Sequence, residues 1–139
     1  MAWLYHGEAL TSPPAGSVGY VYLITDLRSG KQYIGKKCFY SRTSKRAPGK
    51  TRKTWTVKQS NWRDYFGSCD ELKAQVKAAG PENYRREILH ICQNKREMSY
   101  QETREQFVRD VLHAQLPDGQ RAFYNGNIAS RWFPERRAE

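Results

Sequence analysis

The sequence predicts a mixed α/β (α+β) domain, and three observations carry that reading. An apolar, β-branched and aromatic run, Val18 to Thr25, is followed after a turn by a second such run, Lys31 to Lys37. Asp70 to Ala79 reads as a helix between start and stop signals. A third strand-like run, Arg85 to Cys92, precedes a second helical stretch, Met98 to about Leu112. At 139 residues the chain has the size of one domain. A domain of that size folds without disulfides or a structural metal.

The elements follow in order. Residues 1–16 form an N-terminal extension, closed by the break Thr-Ser-Pro-Pro-Ala-Gly at 11–16. The strand Val18 to Thr25, the turn Asp26 to Gly30 and the strand Lys31 to Lys37 make a hairpin. If Asp26 pairs with Lys31, then Tyr22 faces Gly35, Ile24 faces Tyr33 and Tyr20 faces Lys37. Directly opposed residues share a face, so Tyr20, Tyr22, Tyr33, Gly35 and Lys37 lie together. A slip of one residue would send the two central tyrosines to opposite faces. Gly35 opposite Tyr22 leaves space for a ligand. A basic insertion covers 38–63, and its middle, Ser41 to Lys53, reads as a loop that orders on binding. Ser68 and Glu71 form a capping box for the first helix, and Gly80-Pro81 ends it. Arg85 to Cys92 carries apolar residues on both faces and is expected to be a central strand. The second helix gives Phe107, Val108, Val111 and Leu112 to the core. Pro117 to Gly119 is a turn, and 130–139 is a polar, basic tail.

The charge narrows the function. Lys and Arg number 24 against 14 Asp and Glu, a net charge of +10. The excess is concentrated: Leu27 to Arg63 holds twelve basic residues and no acid. A one-sign run of this kind favours a polyanionic partner. Trp55 and Trp62 in the same region are candidates either for base stacking or for core anchors. Three cysteines without a CxxC pair fit a reducing compartment, and no secretory signal or membrane-length apolar run is seen. The expected location is the cytoplasm. His90 and Cys92 share a strand face, but no further ligand spacing accompanies them, so no zinc site is expected.

Tyr20-Val21-Tyr22, ten residues, then Tyr33-Ile34-Gly35 resembles the GIY-YIG nuclease signature, with Tyr20 in place of the first glycine. A basic segment, a helix, a strand, a helix with glutamates and Tyr124-Asn125 follow in the order of that family. The resemblance covers roughly residues 17–128 and is nearest to small stand-alone, homing-like phage members with a YIGKK segment. It implies a nuclease domain over 17–129, built on a small three-stranded antiparallel sheet flanked by helices. It also implies metal-dependent hydrolysis of DNA phosphodiesters, with one Mg²⁺ or Mn²⁺ ion, in a bacterial or phage-infected cell.

The resemblance also distributes roles. Tyr22 matches the general base and Tyr33 the residue that orients water or phosphate. A phenol needs a nearby cation to act as a base, and Lys36, Lys37 and Arg42 could supply that field. Arg42 matches the phosphate-holding arginine, with Lys37, Arg46 and Arg63 as alternatives. The metal-binding glutamate is Glu102, with Glu105 as the alternative. Helix geometry does not separate them, since Glu105 lies beside Leu112 and Glu102 beside Met98. Asn125 matches a late asparagine that positions the site, although Asn125-Gly126 is also a common turn pair. DNA contacts are expected from Lys36, Lys37, Lys45, Arg46, Lys50, Arg52, Lys53, Lys58 and Arg63. Nicking or double-strand cleavage, and a monomer or a dimer, are left open. The competing reading is a non-catalytic nucleic-acid-binding module that uses the same basic surface.

Overall fold

The computed structural model describes residues 2–134; Met1 and positions 135–139 of the basic tail lie outside the described residues. A five-stranded sheet has the order β2-β1-β7-β3-β4. Its strands are β1 (Leu4–Tyr5), β2 (Glu8–Ala9), β3 (Gly19–Asp26), β4 (Gln32–Cys38) and β7 (Tyr84–Cys92). A separate ribbon pairs β5 (Tyr40–Lys45) with β6 (Thr54–Gln59). The helices are α1 (Asp70–Ala79) and α2 (Lys95–Val108).

The predicted hairpin register holds. Tyr22 pairs with Gly35, Ile24 with Tyr33 and Tyr20 with Lys37. The turn enforces it: the Asp26 amide donates to the Lys31 carbonyl, and the Asp26 carboxylate accepts from the Arg28 amide. Strand β7 is central, as expected, between β3 and β1. Its register against β3 shifts between Val21 and Tyr22.

The expected three strands are corrected to five, plus the ribbon. The two additional strands come from the N-terminal segment. His6 and Gly7 both take positive φ (51° and 80°), the requirement of a two-residue hairpin turn whose twist matches its strands. β1 then runs parallel to β7, with Leu4 opposite Glu87 and Tyr5 opposite Ile88. Trp3 anchors the segment: it is buried, and its indole N–H donates to the Trp62 carbonyl at 2.6 Å. The region read as a loop is also corrected, since Tyr40–Lys45 and Thr54–Gln59 pair as antiparallel strands.

Every residue of β3 is buried, because a helical layer covers each face. On one face Tyr20, Tyr22 and Ile24 pack with Trp3, Phe39, Trp62 and the α1 residues Leu72 and Val76. On the other, Val21, Leu23 and Ile34 pack with Met98 of α2 and with Val111, Phe123 and Ile128.

Both helices need a correction. α1 has its predicted span, but Cys69 is its N-cap and no side chain caps it. The Ser68 hydroxyl instead meets the Tyr33 hydroxyl at 3.0 Å. α2 begins earlier than expected, because the Asn94 side chain accepts from the Glu97 amide at 2.8 Å. It also ends earlier, at Val108, with Asp110 in the left-handed region (φ 50°). That reversal turns Val111 and Leu112 into the core and leaves Phe107 and Val108 exposed, where all four were expected inside.

Candidate active site

A cleft of about 530 Å³ lies between β4, α2 and the 125–130 segment. Tyr33, Lys36, Ser68, Ser99, Glu102 and Asn125 are among its lining residues. β4 is an edge strand, so Tyr33 from one face and Lys36 from the other both reach the cleft around that edge.

Lys36 donates to the Ser99 hydroxyl at 2.8 Å, and its ammonium lies 3.9 Å from Glu102 Oε1. The Glu102 side chain is 18% exposed. Burial pushes its carboxyl above the usual range, and Lys36 pulls against that shift. Ser99, Glu102 and Gln106 stand three and four residues apart, on one face of α2.

The two glutamates separate cleanly. Glu105 Oε1 is 2.9 Å from His90 Nε2 on β7, and Glu105 Oε2 is 3.2 Å from Arg109 Nε. Glu105 is therefore engaged at β7 and at the end of its own helix, and it is not among the cleft's lining residues. Of the two candidates, only Glu102 lines the cleft.

The tyrosines occupy different depths. Tyr33 is half-buried and lines the cleft. Burial raises its phenol, and the Ser68 hydrogen bond opposes the rise. Tyr22 is fully buried behind it, with ring centroids 6.2 Å apart. Burial, then Tyr33 and Tyr65, hold the Tyr22 phenol well above its ordinary value, with the Tyr65 ring edge-on at 5.9 Å between centroids. The space opposite Gly35, expected for a ligand, is filled by Tyr22 itself: a Cβ at Gly35 would lie 2.3 Å from the Tyr22 oxygen.

Asn125 is buried and grips the backbone of the second triplet. Its Oδ1 accepts from the Ile34 amide at 3.1 Å, and its Nδ2 donates to the Ile34 carbonyl at 2.8 Å. Gln106 Nε2 donates to the same carbonyl at 3.3 Å, while Gln106 Oε1 has no partner among the described residues.

The remaining expected site residues lie elsewhere. The Arg42 guanidinium stacks 4.1 Å from the Trp55 ring on the ribbon, and Arg42 is absent from the cleft's lining. Lys37 points to the opposite side of the sheet from Lys36, 4.3 Å over the Tyr65 ring. Arg63 is held by the Thr11 carbonyl and by Gln59. Lys45 and Lys58 lie on the ribbon, with Arg46, Lys50, Arg52 and Lys53 in its tip, and all six are exposed. The two tryptophans divide: Trp62 is a core anchor and Trp55 is 53% exposed. Sequence reasoning missed Ser99, Gln106, Ser68 and Tyr65. Ser99 and Gln106 were legible from their helical spacing around Glu102. Ser68 and Tyr65 had no signal, because long-range contacts bring them in.

Among the described residues no three His, Cys, Asp or Glu side chains cluster. Tyr33, Lys36, Glu102 and Asn125 thus meet in one cleft, with Tyr22 buried behind Tyr33, on a mixed α/β fold of GIY-YIG type. The family model described as "Putative endonuclease segE, GIY-YIG domain" matches residues 3–128. The chain belongs to this GIY-YIG family, whose function is of nuclease type. No curated protein and no solved structure matches the chain. Among the described residues no helix is long and apolar enough to cross a membrane.

Proposed function

We propose that this chain is a metal-dependent DNA endonuclease that hydrolyses phosphodiester bonds in the cleft beside β4. The observation that carries the reading is the half-buried Glu102 carboxylate on the cleft wall, which Tyr33 also lines, 3.9 Å from the Lys36 ammonium. A half-buried carboxylate with one partial counter-charge among the described residues fits a hard divalent ion, which takes one or two carboxylates and keeps most of its waters. Glu102 would hold Mg²⁺ or Mn²⁺, which supplies charge stabilisation on the phosphate and leaving oxygen. Lys36 neutralises a second phosphate oxygen and, with Ser99, fixes where the phosphate lies. Tyr33 positions water or phosphate from the opposite wall. Asn125 and Gln106 hold the Ile34 peptide, and with it the spacing between Tyr33 and Lys36.

Tyr22 is assigned the base role that the resemblance gives it, and the structure sets a condition on that role. The free protein keeps the phenol protonated, since burial and its neighbours all oppose phenolate. Deprotonation requires positive charge brought in with the substrate complex and access of water to a hydroxyl that is fully buried in the free protein. The exposed basic ribbon contributes DNA contacts from Lys45, Arg46, Lys50, Arg52, Lys53 and Lys58.

The test is cleavage of supercoiled plasmid with Mg²⁺ or Mn²⁺ and with chelator, using Tyr22→Phe, Tyr33→Phe, Glu102→Gln and Glu105→Gln. Metal-dependent nicking or linearisation is expected, lost in the first three variants and kept in Glu105→Gln. Full activity in Glu102→Gln would sink the metal assignment. Salt-sensitive binding with no cleavage under either metal would replace the enzyme with a binding module.

A further inference from the structure

The β5–β6 ribbon stands apart from the five-stranded sheet. From Arg42 to Gln59 every residue except Ala47 is exposed. Its base is fixed: the Ser60 hydroxyl donates to the Cys38 carbonyl at 2.6 Å, and the Ser60 amide donates to the Phe39 carbonyl at 2.8 Å. Phe39 and Trp62, on either side of the ribbon, are fully buried. The ribbon is therefore an arm rooted in the core, and it continues directly from the strand that carries Tyr33 and Lys36.

The register divides the ribbon into two unlike faces. One face carries Tyr40, Arg42, Ser44, Trp55, Val57 and Gln59. There the Arg42–Trp55 stack joins diagonal neighbours across the strands and stiffens the arm. The other face consists of the opposed pairs Ser41–Lys58, Thr43–Thr56 and Lys45–Thr54. Every side chain on it ends in a hydroxyl or an ammonium. None of these six side chains has a hydrogen-bond partner among the described residues.

We propose that this ribbon enters the major groove of B-form duplex DNA, its hydroxyl-and-lysine face against the base edges, with Thr43 and Thr56 setting sequence preference. The inference rests on the reading that the chain acts on DNA. A two-stranded ribbon fits the B-DNA major groove, about 12 Å wide, and not the minor groove, about 6 Å wide. The deep, narrow major groove of A-form RNA excludes it as well. Lysine donates to guanine N7 and O6, a threonine hydroxyl both donates and accepts, and the threonine methyl packs on thymine. Arg46, Lys50, Arg52 and Lys53 in the tip then lie at the groove's flanks, where phosphate contacts set register without carrying sequence information.

The experiment selects duplexes bound by the full chain, in chelator, from a randomised library. The selected duplex is then treated with dimethyl sulfate before binding. That reagent methylates guanine N7 in the major groove and adenine N3 in the minor groove, so one reaction contains its own control. Guanine methylation is expected to lower binding by about tenfold or more, and adenine methylation to leave it unchanged. Thr43→Val/Thr56→Val is expected to lose about tenfold in preference for the selected sequence, while its affinity for unselected DNA and its salt dependence stay as in the wild type. Lys45→Gln/Lys58→Gln is expected to weaken the selected duplex more than unselected DNA, by about tenfold, and to remove most of the penalty of guanine methylation. Interference at adenine N3 alone, equal competition by duplex RNA, absence of any selected sequence, or full preference in the double valine variant would each overturn the ribbon proposal. If plasmid cleavage persists in that case, the nuclease reading stands without it. Neither binding nor cleavage of any duplex would remove both.

Discussion

Gly35→Ala tests whether the second triplet needs its glycine for the reason the structure gives. A Cβ at position 35 would lie 2.3 Å from the Tyr22 oxygen and 2.6 Å from Cζ, against a floor of 3.0 Å for real contacts. The phenol would have to retreat by most of an ångström. It has nowhere to go, because ring centroids of Trp3, Tyr20, Tyr65 and Tyr33 surround it at 5.1, 6.0, 5.9 and 6.2 Å. Overpacking of a rigid core site costs about 1–3 kcal/mol. For a domain of this size that lowers Tm by about 4–12 °C. The assay is thermal and urea denaturation of Gly35→Ala, Tyr22→Phe and the pair together. Phenylalanine removes the nearest atom and keeps the ring, so the double variant should be more stable than the two single effects added, by about 0.5 kcal/mol or more. Strict additivity, or a Gly35→Ala protein that melts with the wild type, would refute the close-packing argument.

Four further outcomes are expected. Glu102→Gln should abolish cleavage without lowering Tm at pH 7.5: a carboxyl raised by burial stabilises the fold only while protonated, and that contribution is lost as pH rises through its folded value. Glu105→Gln should do the reverse, keeping cleavage but losing about 1–2 kcal/mol with its contacts to His90 and Arg109, as read by urea denaturation. The acid limb of the pH–rate profile should lie above the ordinary glutamate range, and Lys36→Met should move it higher still, since Lys36 is the group that lowers Glu102. Asn125→Ala should cost about 1–3 kcal/mol and expose the Ile34 amide to hydrogen exchange, because that N–H loses its acceptor while the carbonyl keeps Gln106.

What the sequence could and could not show follows from range. The hairpin register was legible to the residue, with each strand lying one position later than read, because Asp26 to Gly30 is a local turn that fixes register, and alternation does the rest. α1 was legible from Gly80 and Pro81. The two N-terminal strands were not, since two residues carry no periodicity; only His6-Gly7 signalled a turn. The ribbon was hidden by its Ser, Thr, Pro and Gly content, although Thr54 to Val57 is β-branched and aromatic. α2 was misplaced because its start lies in the Asn94–Glu97 cap, upstream of the apolar residues. Glu102 and Glu105 were inseparable because the difference between them lies on other elements, Lys36 on β4 and His90 on β7. Arg42 was chosen by counting from Gly35, and a count along the chain does not register that the strand leaves the sheet at Phe39 to begin the ribbon.

The same point of departure explains how the cleft exists at all. An edge strand offers unpaired amides and carbonyls that invite another strand. At Gln32 the chain around 122–124 accepts that invitation: the Gln32 amide donates to the Ala122 carbonyl, and the Tyr124 amide donates to the Gln32 carbonyl. One rung further on, at Ile34, the partner is no longer backbone. The Asn125 side-chain amide takes the place of a peptide, accepting from the Ile34 N–H and donating to its carbonyl. The rung is satisfied while the main chain turns away through Gly126. Had a backbone strand continued along β4, it would have covered the edge that the cleft now borders. A side chain that imitates a peptide bond therefore ends the sheet and opens the site in one step. It is this geometry, rather than turn formation by an Asn-Gly pair, that requires asparagine at position 125.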